Sequence, residues 1–383
     1  MKLLSLFFAL ILSTCGTESN LSIQKQALGK QLFFDPILSN NRTQSCSTCH
    51  NPSLGFIDNR DNGVGAAASL GDDGKSLGDR NTPSAAYAMF SPDFHFDKKN
   101  QQWVGGQFLD GREQDLKGQA GGPPLNPTEM NIPSKQTLIN RFKNHPTYSM
   151  QFRDIYGNAI FNDVEKAYAA MAQSIAEFEK TKFFAPFDSK YDRYLAGKYE
   201  LTDLEDLGRS LFFSNNNTNC ATCHQLKKSD NAQGETFSNY EYHNIGVPIN
   251  TALRTKNGVK TIDKGLLNNP KVNDTKQKGK FRTSSLRNVA ITAPYMHNGV
   301  FKDLKTVIVF YDKYINENRT INPETNQPWA AAEVPKTINF NDLKKGKKLS
   351  DRKVNALVAF LKTLTDKRYE HFLKKPLTPK FIR

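Results

Sequence analysis

The feature that most restricts this chain is a five-residue pattern that occurs twice, as Cys46-Ser47-Thr48-Cys49-His50 and Cys220-Ala221-Thr222-Cys223-His224. Two thiols with a two-residue gap can add across the two vinyl groups of one porphyrin, and the next residue's imidazole then reaches the iron from one face. Other uses of paired cysteines fit less well. A redox Cys-x-x-Cys pair is expected once, beside a βαβ pattern, and none is present. A four-cysteine zinc site calls for no histidine after each pair. Cysteines this close rarely bridge each other in an ordinary structural fold. The pattern therefore predicts two covalent haem c groups. Cys46, Cys49, Cys220 and Cys223 are the attachment residues, and His50 and His224 the proximal iron ligands.

The two sites have similar surroundings. Leu28-Gly29-Lys30-Gln31-Leu32-Phe33-Phe34 precedes the first, and Leu207-Gly208-Arg209-Ser210-Leu211-Phe212-Phe213 precedes the second. Self-similarity at this distance implies duplication of one haem-binding unit. The expected fold is mostly α, with two cytochrome c-like haem domains in tandem and long loops. The divisions are 1–19 as a targeting segment, 20–195 as the first haem domain and 196–383 as the second. Thr202 and Glu205 fit a capping box, with Leu204, Leu207 and Leu211 on one face of the helix they open. Val164, Tyr168, Met171, Ile175 and Phe178 make an apolar stripe, which places Met171 in a core rather than on iron. Ser350 caps a last helix with Val354, Leu357, Leu361 and Leu364 inward. Residues 51 to 133 form a loop-rich stretch of the length that usually carries function. The lysine-rich tail after Asp366 reads as solvated surface.

Leu3 to Leu12 is apolar but too short to span a bilayer, and Ser13-Thr14-Cys15 follows it. This resembles a bacterial lipoprotein signal, so export to the periplasm or cell envelope is expected, with a lipid anchor on Cys15 as the membrane attachment. With 52 Lys+Arg against 38 Asp+Glu, the chain carries a formal charge of +14. A basic surface favours acidic partners or serves solubility. The basic residues are scattered, with short runs such as Lys344–Lys345 and Lys347–Lys348, and no nucleic-acid motif accompanies them.

Two further motifs carry a family resemblance. One is Asp110-Gly111-Arg112, followed by Gln119-Ala120, Gly122-Pro123 and Glu129-Met130. The other runs Phe281-Arg282-Thr283, Ser285-Leu286-Arg287-Asn288-Val289-Ala290 and Thr292-Ala293-Pro294-Tyr295-Met296-His297-Asn298-Gly299. With both haem motifs in order, residues 20 to 365 resemble the bacterial di-haem cytochrome c peroxidases and their MauG-type relatives. That resemblance implies peroxide chemistry at the N-terminal haem and electron entry at the C-terminal one. It implies catalytic roles for Gln119 and Glu129, and a calcium ion held by Asn81, Thr292 and Pro294. A carboxylate can move a proton between the two peroxide oxygens while an amide orients the molecule. The implied partners are hydrogen peroxide and a small cytochrome c or cupredoxin, with a homodimer also compatible.

The chain departs from the family in three places. No histidine lies between Asn51 and Phe94 to cap the first iron, and His95 reads as surface. The N-terminal haem is thus expected to be open to peroxide without prior reduction. Tyr311 stands where ordinary members carry a methionine ligand to the second haem, as in MauG-type enzymes, with Met296 as the rival ligand. A phenolate ligand stabilises ferric iron, whereas methionine raises the potential. Leu109 replaces the family's tryptophan between the haems, and Trp103 is no evident substitute. The expected activity is peroxide reduction to water with electrons from a small redox protein. The alternatives are a MauG-type oxidase that modifies Trp or Tyr of a partner protein, and a plain electron carrier.

Overall fold

A computed structural model describes residues 5–227 and 232–374, with side chains from residue 20 onward. The side chain of Cys15, with the targeting segment around it, and the tail beyond residue 374 lie outside the described residues. The chain is mostly helical. The first half contains α1 (Ser5–Phe34), α2 (Cys46–Cys49), α3 (Leu116–Ala120), α4 (Lys135–Asn144), α5 (Pro146–Tyr156) and α6 (Val164–Glu179). The second contains α7 (Lys190–Leu195), α8 (Asp203–Phe212), α9 (Thr251–Asn257), α10 (Leu304–Asp312), α11 (Phe340–Leu343) and α12 (Asp351–Thr363). Among the described residues three two-stranded antiparallel ribbons accompany the helices: His95–Asp97 with Gln102–Val104, Tyr242–His243 with Phe281–Arg282, and Ile321–Asn322 with Gln327–Pro328. Among the described residues no helix is long and apolar enough to cross a membrane.

Two hydrophobic cores organise these elements, each built on one crossed helix pair. In the first, α1 lies on α6, and Leu28, Leu32 and Phe33 meet Met171, Ile175 and Phe178. In the second, α8 lies on α12, and Leu211 and Phe212 meet Leu357, Phe360 and Leu361. The repeated glycine explains how the backbones come so close. A Cβ on Gly29 would stand 1.8 Å from the Ser174 carbonyl oxygen, and one on Gly208 would stand 1.9 Å from that of Ala356. The caps follow the sequence. Asp163 opens α6, the Thr202/Glu205 box opens α8 and Ser350 opens α12.

Three details differ from expectation. Leu204 is 40% exposed, because it sits in the first turn of α8 and only Leu207 and Leu211 pack in the core. Helix α7 lies before residue 196, yet Tyr191, Tyr194 and Leu195 pack in the second core. The chain after Asp366 does not begin as solvated surface. Lys367–Lys374 is a 3-10 turn in which Tyr369 is buried, and its hydroxyl donates to the Pro52 carbonyl at 2.5 Å. The apolar ring and a hydrogen bond to the first half outweigh the lysine-rich composition there.

Candidate functional site

Both cysteine pairs and both motif histidines line one continuous cavity of about 770 Å³ that runs through the two halves. Each histidine is held by the same device. His50 Nδ1 lies 3.3 Å from the Phe56 carbonyl oxygen and His224 Nδ1 lies 3.2 Å from that of Phe237. Both phenylalanines are fully buried and have positive φ, 59° and 58°, a conformation side chains rarely adopt. That backbone turn aims a carbonyl at the ring and leaves Nε2 for a metal. Burial lowers the pKa of both imidazoles, that of His224 to about 4, so both are neutral at pH 7.

The turn is braced by a second repeat. Ser84 Oγ donates to the Gly55 carbonyl and Ser285 Oγ to the Thr236 carbonyl, at 2.6 and 2.7 Å. Each serine also accepts a backbone N–H two residues on. Tyr87 and Asn288, three residues after each serine, both bind the buried Asp366, at 2.6 and 2.9 Å. One carboxylate thus joins equivalent points of the two halves.

At the first pair, Gln119 on α3 and Glu129 on the following turn line the cavity. Asn126 Nδ2 donates to Glu129 Oε1 at 2.9 Å. Burial raises the Glu129 pKa against the opposing pull of Arg112, which favours its protonated form. Arg112 itself stacks on Phe108 with its guanidinium carbon 3.6 Å from the ring centroid. The expectation for His95 agrees with its position: it is exposed on a ribbon, bonded to the Asp93 carbonyl. Besides His50 and His224, the cavity histidines are His243 and His297. His243 belongs to the second pair, beside Cys223. His297 stacks on Phe281 at 3.7 Å, near Glu333.

At the second pair, Tyr311 on α10 lines the cavity beside Cys220 and Cys223, and burial raises its phenol well above the usual range. Met296 also lines the cavity. Helix α10 packs on α12 as α3 packs on α6, so Tyr311 and Gln119 come from matching helices. Between the pairs, Leu109 is buried in the cavity wall, while Trp103 stacks on Phe94 in a separate small cluster. The halves are tied by Arg80, which bonds Asp110 at 2.7 Å and Asp263 at 2.6 and 2.7 Å. Burial alone would raise the Asp263 pKa, but Arg80 holds it down to about 2. Asn81, Thr292 and Pro294 all line the cavity, and Asn81 N–H donates to the His297 carbonyl at 2.7 Å. Among the described residues no group of three or more His, Cys, Asp or Glu converges as a metal cluster.

The donor set fits haem. The four motif cysteines are free and face a large cavity rather than one another's partners. Burial raises the thiol pKa of Cys46 strongly, of Cys49 to about 12 and of Cys220 to about 11, so all three are neutral thiols. Among the cavity residues not singled out from the sequence are Glu179, His243 and Arg80. Glu179 had a readable signal, since it lies four residues after Ile175 and so on the buried stripe of α6.

Comparison with known proteins agrees with this geometry. Residues 23–200 match the family model for di-haem cytochrome c peroxidase. The chain is 48% identical to the methylamine utilization protein MauG of Paracoccus denitrificans over 91% of its length and 90% of that protein. It is 32% identical to the cytochrome c551 peroxidase of Pseudomonas aeruginosa, covering 75% of this chain and 71% of that one. The crystal structure of the diheme peroxidase BthA from Burkholderia thailandensis superposes with a TM-score of 0.82 at 31% identity, covering 93% of this chain and 88% of that one. Two haem-attachment motifs and near full-length similarity lead to one conclusion: the chain belongs to the di-haem cytochrome c peroxidase and MauG family, a family of haem oxidoreductases.

Proposed function

We propose that this protein holds one haem c in each half and reduces hydrogen peroxide to water at the first, with electrons that a small redox protein delivers at the second. The observation that carries this reading is the Gln119/Glu129 pair on the lining of the cavity that also holds His50. The bound haem iron would supply the centre that accepts the oxidising equivalents of peroxide. The Glu129 carboxyl, held by Asn126, moves a proton from one peroxide oxygen to the departing one. The Gln119 amide orients the molecule for that transfer.

The second site suits electron entry. Lys344, Lys345, Lys347 and Lys348 are all exposed. Their segment is fixed over the second attachment loop, because Lys347 N–H donates to the Asn217 carbonyl and Asn219 Nδ2 to that of Asp342. Lys347 and Asp342 line the cavity mouth. Such a rim favours an acidic cytochrome or cupredoxin. Asn81, Thr292 and Pro294 would supply an amide oxygen and backbone carbonyls to a calcium ion between the halves. An envelope location agrees with covalent haem and with the signal-like N-terminus.

Steady-state assays with peroxide and several reduced small donors test the reading. Rapid oxidation of donor over many turnovers is the expected outcome. A second reading, oxidation of Trp or Tyr in a specific partner protein, is favoured by Tyr311 and by the similarity to MauG. It expects slow discharge by small donors and a stable complex with one substrate protein.

A further inference from the structure

Glu179 is a buried carboxyl that the proton transfer at Glu129 leaves unused. It ends α6 on the wall of the first cavity, and its Oε2 is buried without a hydrogen-bond partner. It lies near enough to Cys46 to act on that thiol electrostatically. The second half provides an internal control. Ser174 meets Gly29 as Ala356 meets Gly208, and five residues further along each helix stand Glu179 and Leu361. Both line the cavity. Leucine therefore satisfies the packing at this place, and a bare carboxyl there is costly unless something uses it.

The neighbouring charges do not account for it. Glu177 pairs with Lys180, and Arg368 stacks over Phe56 and Phe183. Glu129 and Arg112 also line the cavity, but neither acts measurably on Glu179, which feels burial alone. Burial alone pushes the Glu179 carboxyl up to about 8, so it holds a proton at neutral pH and can give it up near that value.

We infer that Glu179 is the proton-binding partner of the first haem, taking up a proton when that haem gains an electron and releasing it when the electron leaves. This rests on the haem reading above. The electron comes from the redox donor and the proton from solvent. Ferric haem and carboxylate become ferrous haem and carboxylic acid, so the buried site keeps its net charge. Where water is excluded, that compensation is favoured strongly. Leu361 can offer nothing of the kind to the second haem.

Spectroelectrochemical titration of the haem-loaded protein on both sides of about pH 8 tests this, with the first-haem potential followed by absorbance. Above about pH 8, where the oxidised protein carries Glu179 as a carboxylate, the wild-type potential should fall as pH rises, and below it the potential should level off. In Glu179→Gln and Glu179→Leu it should stay flat over the same range, with the second-haem potential unchanged. Glu179→Leu copies the second half, so the fold has a precedent for it. If both variants keep the wild-type slope, the inference is overturned. Absence of two sets of haem bands would instead overturn the functional reading itself.

Discussion

The two halves share a scaffold and differ in what lines it. Gly29 and Gly208, Phe33 and Phe212, Phe56 and Phe237, and Ser84 and Ser285 play the same parts at both cysteine pairs. All serve to cross two helices, turn a carbonyl onto a histidine and brace that turn. The cavity walls have diverged. Where the first half places Gln119, Glu129 and Glu179, the second places Tyr311 and Leu361, with Lys347 also on the lining. The shared parts are those that would hold a haem, and the groups that would face it are the ones that differ. In the proposed reading, one wall handles protons and an oxygen substrate, and the other handles electrons.

The largest expected effect strikes the first wall alone. Glu129→Gln should slow the reaction with peroxide by about a hundredfold to ten-thousandfold, as loss of a general acid–base group does. Tyr311→Phe should leave that rate nearly unchanged, and equal losses in stopped-flow traces would erase the distinction between the sites. Arg80→Ala strikes the joint. It leaves Asp110 with Arg112 as its remaining partner, strands Asp263 in a buried setting and should cost roughly 3–5 kcal/mol in denaturant titration. Because the folded Asp263 pKa is about 2, below its ordinary 3.8, its contribution is present above pH 3.8 and lost as pH falls through 2. Gly29→Ala and Gly208→Ala test the shared scaffold. Each should destabilise its own helix pair by about 1–3 kcal/mol, read as loss of one haem's spectrum before the other's. Glu179→Gln gives the smallest effect at low pH. The folded-state pKa is raised, so folded protein binds the extra proton between pH 4.5 and about 8. Wild-type stability should therefore fall relative to the variant across that window, at up to roughly 1.4 kcal/mol per pH unit. A constant difference would contradict the burial of a protonated carboxyl.

Much of this was legible in the sequence. The spacing of two thiols and an imidazole is dictated by the porphyrin, so it survives as a pattern, and helix periodicity with capping residues located α6, α8 and α12. The repeat before each haem motif was visible because a glycine at a helix crossing tolerates no substitute. The second repeat, Thr82-x-Ser84 with Tyr87 against Thr283-x-Ser285 with Asn288, was harder to see. Its function resides in backbone carbonyls and a shared bond to Asp366, which constrain few side chains. The pairing of Arg80 with Asp110 and Asp263 joins residues far apart in the chain, and nothing local announces it. The docking of Tyr369 was masked by the lysines around it, since one buried ring outweighs several solvated charges.

The most direct measurement mixes the fully oxidised, haem-loaded protein with one equivalent of hydrogen peroxide in a stopped-flow spectrometer. An open first site beside Gln119 and Glu129 should give a prompt absorption change with no prior reduction, and that change should be largely lost in Glu129→Gln. No reaction until one haem has been reduced would mean that the first iron is capped, and the division of labour between the two walls would be wrong.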